Sequence, residues 1–222
     1  MHRSATGTPR TPSPGAVLHA ATAYDALVWL ATLGREQAFR DAILRIAKLR
    51  EGEAVMDAGC GTGSLAIAAR RQVGPTGTVH GIDASPEMIA RARRKAAAAG
   101  LDVVFAEGTA QALSFPEARF DVVLSTLMLH HLPRKVRLEF AQEAHRVLKP
   151  GGRLLLVDFA ADGNVHKGLL SHFHRHGDVK LNEVAAILDT VGLRRIDSAP
   201  LGFRGGFGLS RLHCMCALKA GA

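Results

Sequence analysis

Apolar and polar positions alternate along the chain in a regular rhythm. Short apolar runs of strand length are separated by longer stretches whose apolar residues recur at helical spacing. The runs at 55–58, 78–83, 103–107, 120–125 and 153–159 read as buried strands. Between them, residues 64–73 have helical composition, and a second helix opens at Ser85-Pro86-Glu87 and stops at Gly100. That opening combines an N-cap serine, a proline at the first helical position and an acid in the first turn. Val136, Phe140, Ala144 and Val147 give the next helix its buried stripe, and Lys149-Pro150-Gly151-Gly152 ends it. Upstream, residues 20–33 and 36–49 read as two helices, the second striped by Phe39, Ile43, Ile46 and Ala47. Downstream, the pattern predicts a helix at 181–191, a sixth strand at 194–200 and a seventh at 212–218, antiparallel to its neighbour after a glycine-rich turn. The expected fold is α/β: a doubly wound, Rossmann-like seven-stranded sheet, mostly parallel with an antiparallel last strand and helices on both faces. Ligands in such folds bind at the carboxyl ends of the strands.

The chain of 222 residues is long enough for one substantial core. Residues 20–222 read as a single domain, and residues 1–19, rich in Ser, Thr, Pro and Gly, as a disordered leader without the apolar core of a signal peptide. No apolar stretch approaches the ~20 residues that span a bilayer. The net charge of +8 is compatible with nucleic acid, anionic lipid or acidic metabolites. Without interleaved aromatics, solvated helix faces are the better reading. Cys60, Cys214 and Cys216 form neither a disulfide framework nor a paired zinc spacing, which suits a reduced, cytoplasmic setting.

The chemistry concentrates at Met56-Asp57-Ala58-Gly59-Cys60-Gly61-Thr62-Gly63. Glycines between a strand and a helix let the backbone turn sharply and approach a ligand at the helix N-terminus. Such a turn alone also fits NAD or FAD. Asp83 ends the next strand, where a carboxylate can reach a ribose held over the first turn.

Four motifs in order carry a family likeness. The glycine turn resembles the first motif of class I S-adenosylmethionine-dependent methyltransferases, and Gly81-Ile82-Asp83-Ala84-Ser85-Pro86-Glu87-Met88 resembles their second. Phe120 to Ser125 with His130-His131-Leu132, and then Arg146 to Gly152, match the remainder. Tyr24-Asp25 is similar to the N-terminal helix of the ubiquinone/menaquinone-biosynthesis-type subgroup and its small-molecule relatives. The likeness covers residues 20–160. It implies S-adenosylmethionine as cofactor, with S-adenosylhomocysteine as product. Gly59, Cys60, Gly61 and Gly63 would approach its methionyl part, Asp57 would order that turn and the amino group, and Tyr24 would cover it. Asp83 and Ala84 would meet the ribose, and Met88 would pack by the adenine. Gly108, Thr109 and Ala110 follow strand three, where the family usually carries an Asp-Ala pair facing the adenine amino group; here the pair is Thr109-Ala110. Ser125 and Leu127 sit where the family closes over the sulfonium.

His130 and His131 are the candidate catalytic residues, because imidazole titrates near neutrality and an acceptor that must lose a proton needs a base. The plainer reading is that they cap the loop. The sequence Ser125-Thr126-Leu127-Met128 lacks the Asn/Asp-Pro-Pro-aromatic motif of nucleobase-amine methylases, so nucleic acid is not the expected partner. His166, His172, His174 and His176 read as a polar lid or loop rather than a metal site, and no metal is expected. Cys214 and Cys216 read as small core residues, being placed unlike the arsenite-binding cysteines of related methyltransferases. Helices in 20–50 would form a lid, and the short segment 160–193 the substrate side. The resemblance implies methyl transfer to a small molecule, with the accepting O, C, N or S atom open. RNA or protein methylation, or cofactor binding without turnover, are the alternatives, and a homodimer is left open.

Overall fold

The computed structural model describes residues 21–160, 179–206 and 209–221. Two helices, α1 (Ala21–Ala31) and α2 (Glu36–Ala47), precede the alternating unit. That unit runs β1 (Ala54–Ala58), α3 (Ser64–Val73), β2 (Thr78–Asp83), α4 (Pro86–Ala98) and β3 (Val104–Glu107). It continues with β4 (Phe120–Thr126), α5 (Arg134–Val147), β5 (Leu148–Phe159), α6 (Leu181–Thr190), β6 (Leu193–Pro200) and β7 (Leu212–Lys219). The strand order is β3-β2-β1-β4-β5-β7-β6. β7 lies antiparallel to β5 on one side and to β6 on the other, and the remaining pairings are parallel.

Every residue of β1 is buried, because a central parallel strand is covered on both faces. Side chains alternate between two cores accordingly. Val55, Val122, Leu124, Leu155 and Val157 pack in the layer with α2, α3 and α4. Met56, Ala58, Val123, Leu154 and Leu156 pack in the layer with α5 and α6. The order reverses between β1 and β4, so their carboxyl ends flank the crevice in which doubly wound sheets hold ligands.

The expected elements are present with ends shifted by at most two residues, except at β5. β5 begins at Leu148, not 153, because Leu148 already pairs with Phe120. The register then shifts, and Arg153 pairs with Val122. Lys149-Pro150-Gly151-Gly152 does end α5, but as a bulge within the strand, where Pro150 needs no ladder donor. β6 is an edge strand, exposed at every residue except Leu193. The expected leader and the four histidines from His166 to His176 lie outside the described residues.

Candidate active site

Three positive-φ glycines shape the turn after β1: Gly59 at 73°, Gly61 at 52° and Gly63 at 76°. The backbone N–H groups of Gly59 and Cys60 both donate to the Ile82 carbonyl, at 2.8 and 2.9 Å, tying the turn to β2. The Gly61 N–H donates to Asp83 Oδ2 at 2.8 Å, and the Ser85 N–H to Asp83 Oδ1 at 2.9 Å. Asp83 is therefore fixed by backbone at the tip of β2. Burial raises its carboxyl above the ordinary range, against the opposing effect of those N–H groups.

Asp57 stands at the carboxyl end of β1 and is 2% exposed. The Ala66 backbone N–H stabilises its carboxylate, yet its Oδ2 is buried without a hydrogen-bond partner. Burial, reinforced by the nearby charge of Asp83, pushes its pKa up to about 7. A buried acceptor with nothing to accept from is costly unless a ligand supplies the donor.

Tyr24, on α1, covers the turn. A Cβ at residue 61 would lie 3.6 Å from its ring. Desolvation, followed by the charge of Asp83, pushes its phenol up to about 12. Arg40, on α2, acts on Tyr24 in the opposite sense and pairs with Glu36 at 2.7 Å. It brings a cation toward this end of the site that the sequence reading did not single out. The neighbouring Asp25 accepts from Thr62, Arg91 and Lys95.

Beyond β4 the chain passes through Leu127 at φ 56°, a left-handed conformation unusual for a branched side chain. Its N–H donates to the Val157 carbonyl at 2.8 Å. The kink sends Met128 over the glycine turn, where a Cβ at Gly59 would meet its Sδ at 2.6 Å. Ser125 Oγ and Thr126 Oγ1 are buried without hydrogen-bond partners. A single 3-10 turn, Leu129–His131, then presents the two histidines.

They are not equivalent. His130 Nδ1 lies 2.7 Å from Asp158 Oδ1, and the His130 backbone N–H donates to Asp158 Oδ2 at 3.2 Å. Asp158, 6% exposed at the end of β5, also accepts the Phe159 N–H at 2.8 Å. Phe159 meets the His130 ring edge-on, with centroids 5.5 Å apart. His131 stacks against His130, with ring centroids 3.9 Å apart. Asp158 escaped the sequence reading. Its signal was an acid in an otherwise apolar strand, which by itself names no partner.

The remaining candidates fall around the same crevice. The Gly108 N–H donates to the Asp83 carbonyl at 3.0 Å, and Thr109 forms an isolated bridge with Ala112. Ala84, Thr109 and Ala110 are partly exposed, whereas Met88 is buried at the start of α4 with its N–H capped by Ser85 Oγ at 3.3 Å. The Cys60 thiol is pushed well up by burial and then by Asp57, so it contributes backbone rather than a thiolate. Cys214 and Cys216 are buried in β7. Desolvation pushes the Cys214 thiol up to about 12. Among the described residues, no three His, Cys, Asp or Glu side chains are grouped to hold a metal, and no helix is long and apolar enough to cross a membrane.

Residues 55–152 match the family model of a methyltransferase domain, the stretch that contains the glycine turn, Asp83 and both histidines. Over this stretch the chain is similar to S-adenosylmethionine-dependent methyltransferases. It is 32% identical over 155 residues to the demethylmenaquinone methyltransferase of Halalkalibacterium halodurans, covering 69% of this chain and 62% of the relative. It is 40% identical over 121 residues to the 27-O-demethylrifamycin SV methyltransferase of Amycolatopsis mediterranei, covering 54% and 43%. The chain thus spans less than two thirds of the length of these relatives. Among solved structures, a SAM-dependent methyltransferase from Aquifex aeolicus superposes with a TM-score of 0.67 at 25% identity, over 82% of this chain and 89% of that one. The geranyl diphosphate C-methyltransferase from Streptomyces coelicolor A3(2), solved with S-adenosyl-L-homocysteine, shares the fold at a TM-score of 0.71 and 15% identity, covering 83% and 78%.

Proposed function

We propose that the protein is an enzyme that transfers the methyl group of S-adenosylmethionine to a small-molecule acceptor and releases S-adenosylhomocysteine. The observation that carries this reading is the buried, unpartnered Oδ2 of Asp57 beneath the glycine turn. The ammonium of a methionyl group would supply the missing donor there. When bound, the cofactor supplies a methyl group already activated on a sulfonium, whose departure leaves a neutral thioether.

The chain's own residues then bind, orient and exclude water, which is where such a displacement gains most of its acceleration. Asp57 accepts the ammonium, and the lone pairs left on Asp83 accept the ribose hydroxyls. The backbone of Gly59, Cys60, Gly61 and Gly63 allows close approach, while Tyr24 closes over it. Ala84, Met88, Gly108, Thr109 and Ala110 line the nucleoside end, and Ser125 and Leu127 the sulfonium end. His130, held through Nδ1 by Asp158, keeps Nε2 free to take the proton lost by a phenol, thiol, amine or activated carbon. His131 packs against the base and is secondary to it. The helices within 20–50 act as the lid, with the acceptor entering on the side of segment 160–193. The relatives named for demethylmenaquinone and demethylrifamycin support a small-molecule acceptor. The reading sets the enzyme in the cytoplasm, without a nucleic-acid partner.

Calorimetric binding of S-adenosylmethionine and S-adenosylhomocysteine, followed by an acceptor screen on the same sample, tests this. Binding with turnover on a phenol, thiol, amine or carbon acid is the expected result. Binding without turnover would favour a macromolecular acceptor or a binding protein, and absence of binding would remove the proposal.

A further inference from the structure

The C-terminal end of α1 joins the core through Ala31. Leu27, Trp29 and Leu30 are all exposed, so the helix that carries Tyr24 needs another anchor. Asp25 provides it. Its Oδ1 accepts from Thr62 Oγ1 at 2.6 Å and from Lys95 Nζ at 3.2 Å, and its Oδ2 accepts from Arg91 Nε at 3.0 Å. Lys95 also donates to Thr62 Oγ1 at 3.1 Å and to Ser64 Oγ. Thr62 lies between Gly61 and Gly63 and is 3% exposed, so one carboxylate joins the lid helix, the glycine turn and α4. The bonds are charge-assisted, and the Asp25 side chain is only 21% exposed, which limits competition from water. Burial works to raise its carboxyl, but the three partners outweigh it and hold the group below the ordinary carboxylate range.

We infer that Asp25 is the positioning residue of the cofactor pocket: its carboxylate clasps α1 to the glycine turn and α4, and so keeps Tyr24 closed against Gly61. The inference rests on the reading that this turn holds S-adenosylmethionine. The bonds of Asp25 run to Thr62, Arg91 and Lys95, so on this inference it acts through Tyr24. Opening the clasp lets α1 swing away, which shortens cofactor residence rather than changing the chemistry.

The test uses the full chain with S-adenosylhomocysteine as probe. Asp25→Asn keeps the shape and removes the charge. It should weaken binding about tenfold, chiefly through faster dissociation, the size expected for losing a charge-assisted anchor. Amide exchange across residues 21–31 should speed up selectively. Trp29, the chain's single tryptophan and one turn beyond Asp25 on α1, reports the same opening by fluorescence. In a Tyr24→Ala background, Asp25→Asn should cost little more, because both changes remove one device. Arg91→Gln, which removes one of the three partners, should shift affinity in the same direction by less and guards against a variant that fails to fold. Unchanged affinity in Asp25→Asn, or a full additive loss beside Tyr24→Ala, would overturn the clasp. If the wild type binds no S-adenosylhomocysteine, the functional reading fails instead. Exchange across α1 then still decides: faster exchange in Asp25→Asn upholds the clasp, and unchanged exchange rejects it.

Discussion

His130 Nδ1 sits 2.7 Å from Asp158 Oδ1, joining the first turn after β4 to the last residues of β5. The same carboxylate receives the His130 backbone N–H, so the residue is held at two points. An Nδ1–H donated to Asp158 leaves Nε2 as the acceptor, which is the tautomer a general base requires. A carboxylate that orients an imidazole is the usual support for such a base.

This arrangement predicts separable effects on turnover and binding. With an acceptor that must lose a proton, His130→Ala should lower kcat about a hundredfold or more. Asp158→Asn should lower it less, by about tenfold, through loss of the preferred tautomer and orientation. S-adenosylhomocysteine affinity should stay within about twofold of wild type in both. Loss of affinity with kcat intact would make the pair a structural brace.

Asp57 gives the protein a pH signature. Its folded pKa of about 7 lies above the ordinary carboxyl value of 3.8, so between these values the folded state binds the extra proton. The sign follows directly. Its contribution to stability is full below the lower value and is lost as pH rises through the upper one. Asp57→Asn mimics the protonated form. Its melting temperature should exceed that of the wild-type apo protein at pH 8, with the difference shrinking as pH falls below 7. Cofactor binding at pH 6 should release a proton, read by calorimetry in buffers of different ionisation enthalpy. No proton release at that pH would contradict the placement of the ammonium.

The glycines divide into two kinds. At Gly63, φ is 76° and a Cβ would lie 2.6 Å from Phe105 Cζ and 2.7 Å from Ala92 Cβ, both buried. Gly63→Ala combines left-handed strain with overpacking and should cost about 2–5 kcal/mol. At Gly100, φ is 63° and nothing lies within 4 Å of the same Cβ. Gly100→Ala carries only the backbone penalty, about 1–2 kcal/mol. Denaturant unfolding of the two variants would measure the difference, and equal losses would refute the steric argument.

The family resemblance implies an acid at the position of Thr109, and a hydroxyl accepts a hydrogen bond without charge assistance. Thr109→Asp should therefore raise affinity for S-adenosylhomocysteine several-fold, by about 1 kcal/mol. It should leave the inosine analogue, which lacks the adenine amino group, unimproved. A gain for both ligands would point to a general electrostatic effect.

Much of this protein was written locally in the chain. The apolar run ending in Asp57, the glycines after it and the acid at Asp83 require only near neighbours to define a strand, a turn and a strand tip. So do the Ser85-Pro86 helix start and the apolar stripes of α2 and α5. Periodicity and capping report such features because they arise from backbone geometry over a few residues. The sequence accordingly determined the alternating sheet, the glycine turn and the candidacy of His130, while Tyr24 became a candidate only through the family resemblance.

Tertiary structure decided what depends on distant partners. Leu148 joins β5 early because it pairs with Phe120, and β7 inserts between β5 and β6. Met128 lies over Gly59 because Leu127 bends the exit of β4. Asp158 holds His130 from 28 positions away, and Asp25 finds Lys95 from 70 positions away. Each of these choices follows from which strand ends and helix faces the sheet order brings together. Hydrogen bonds and burial act through space, whereas local pattern carries no record of that proximity.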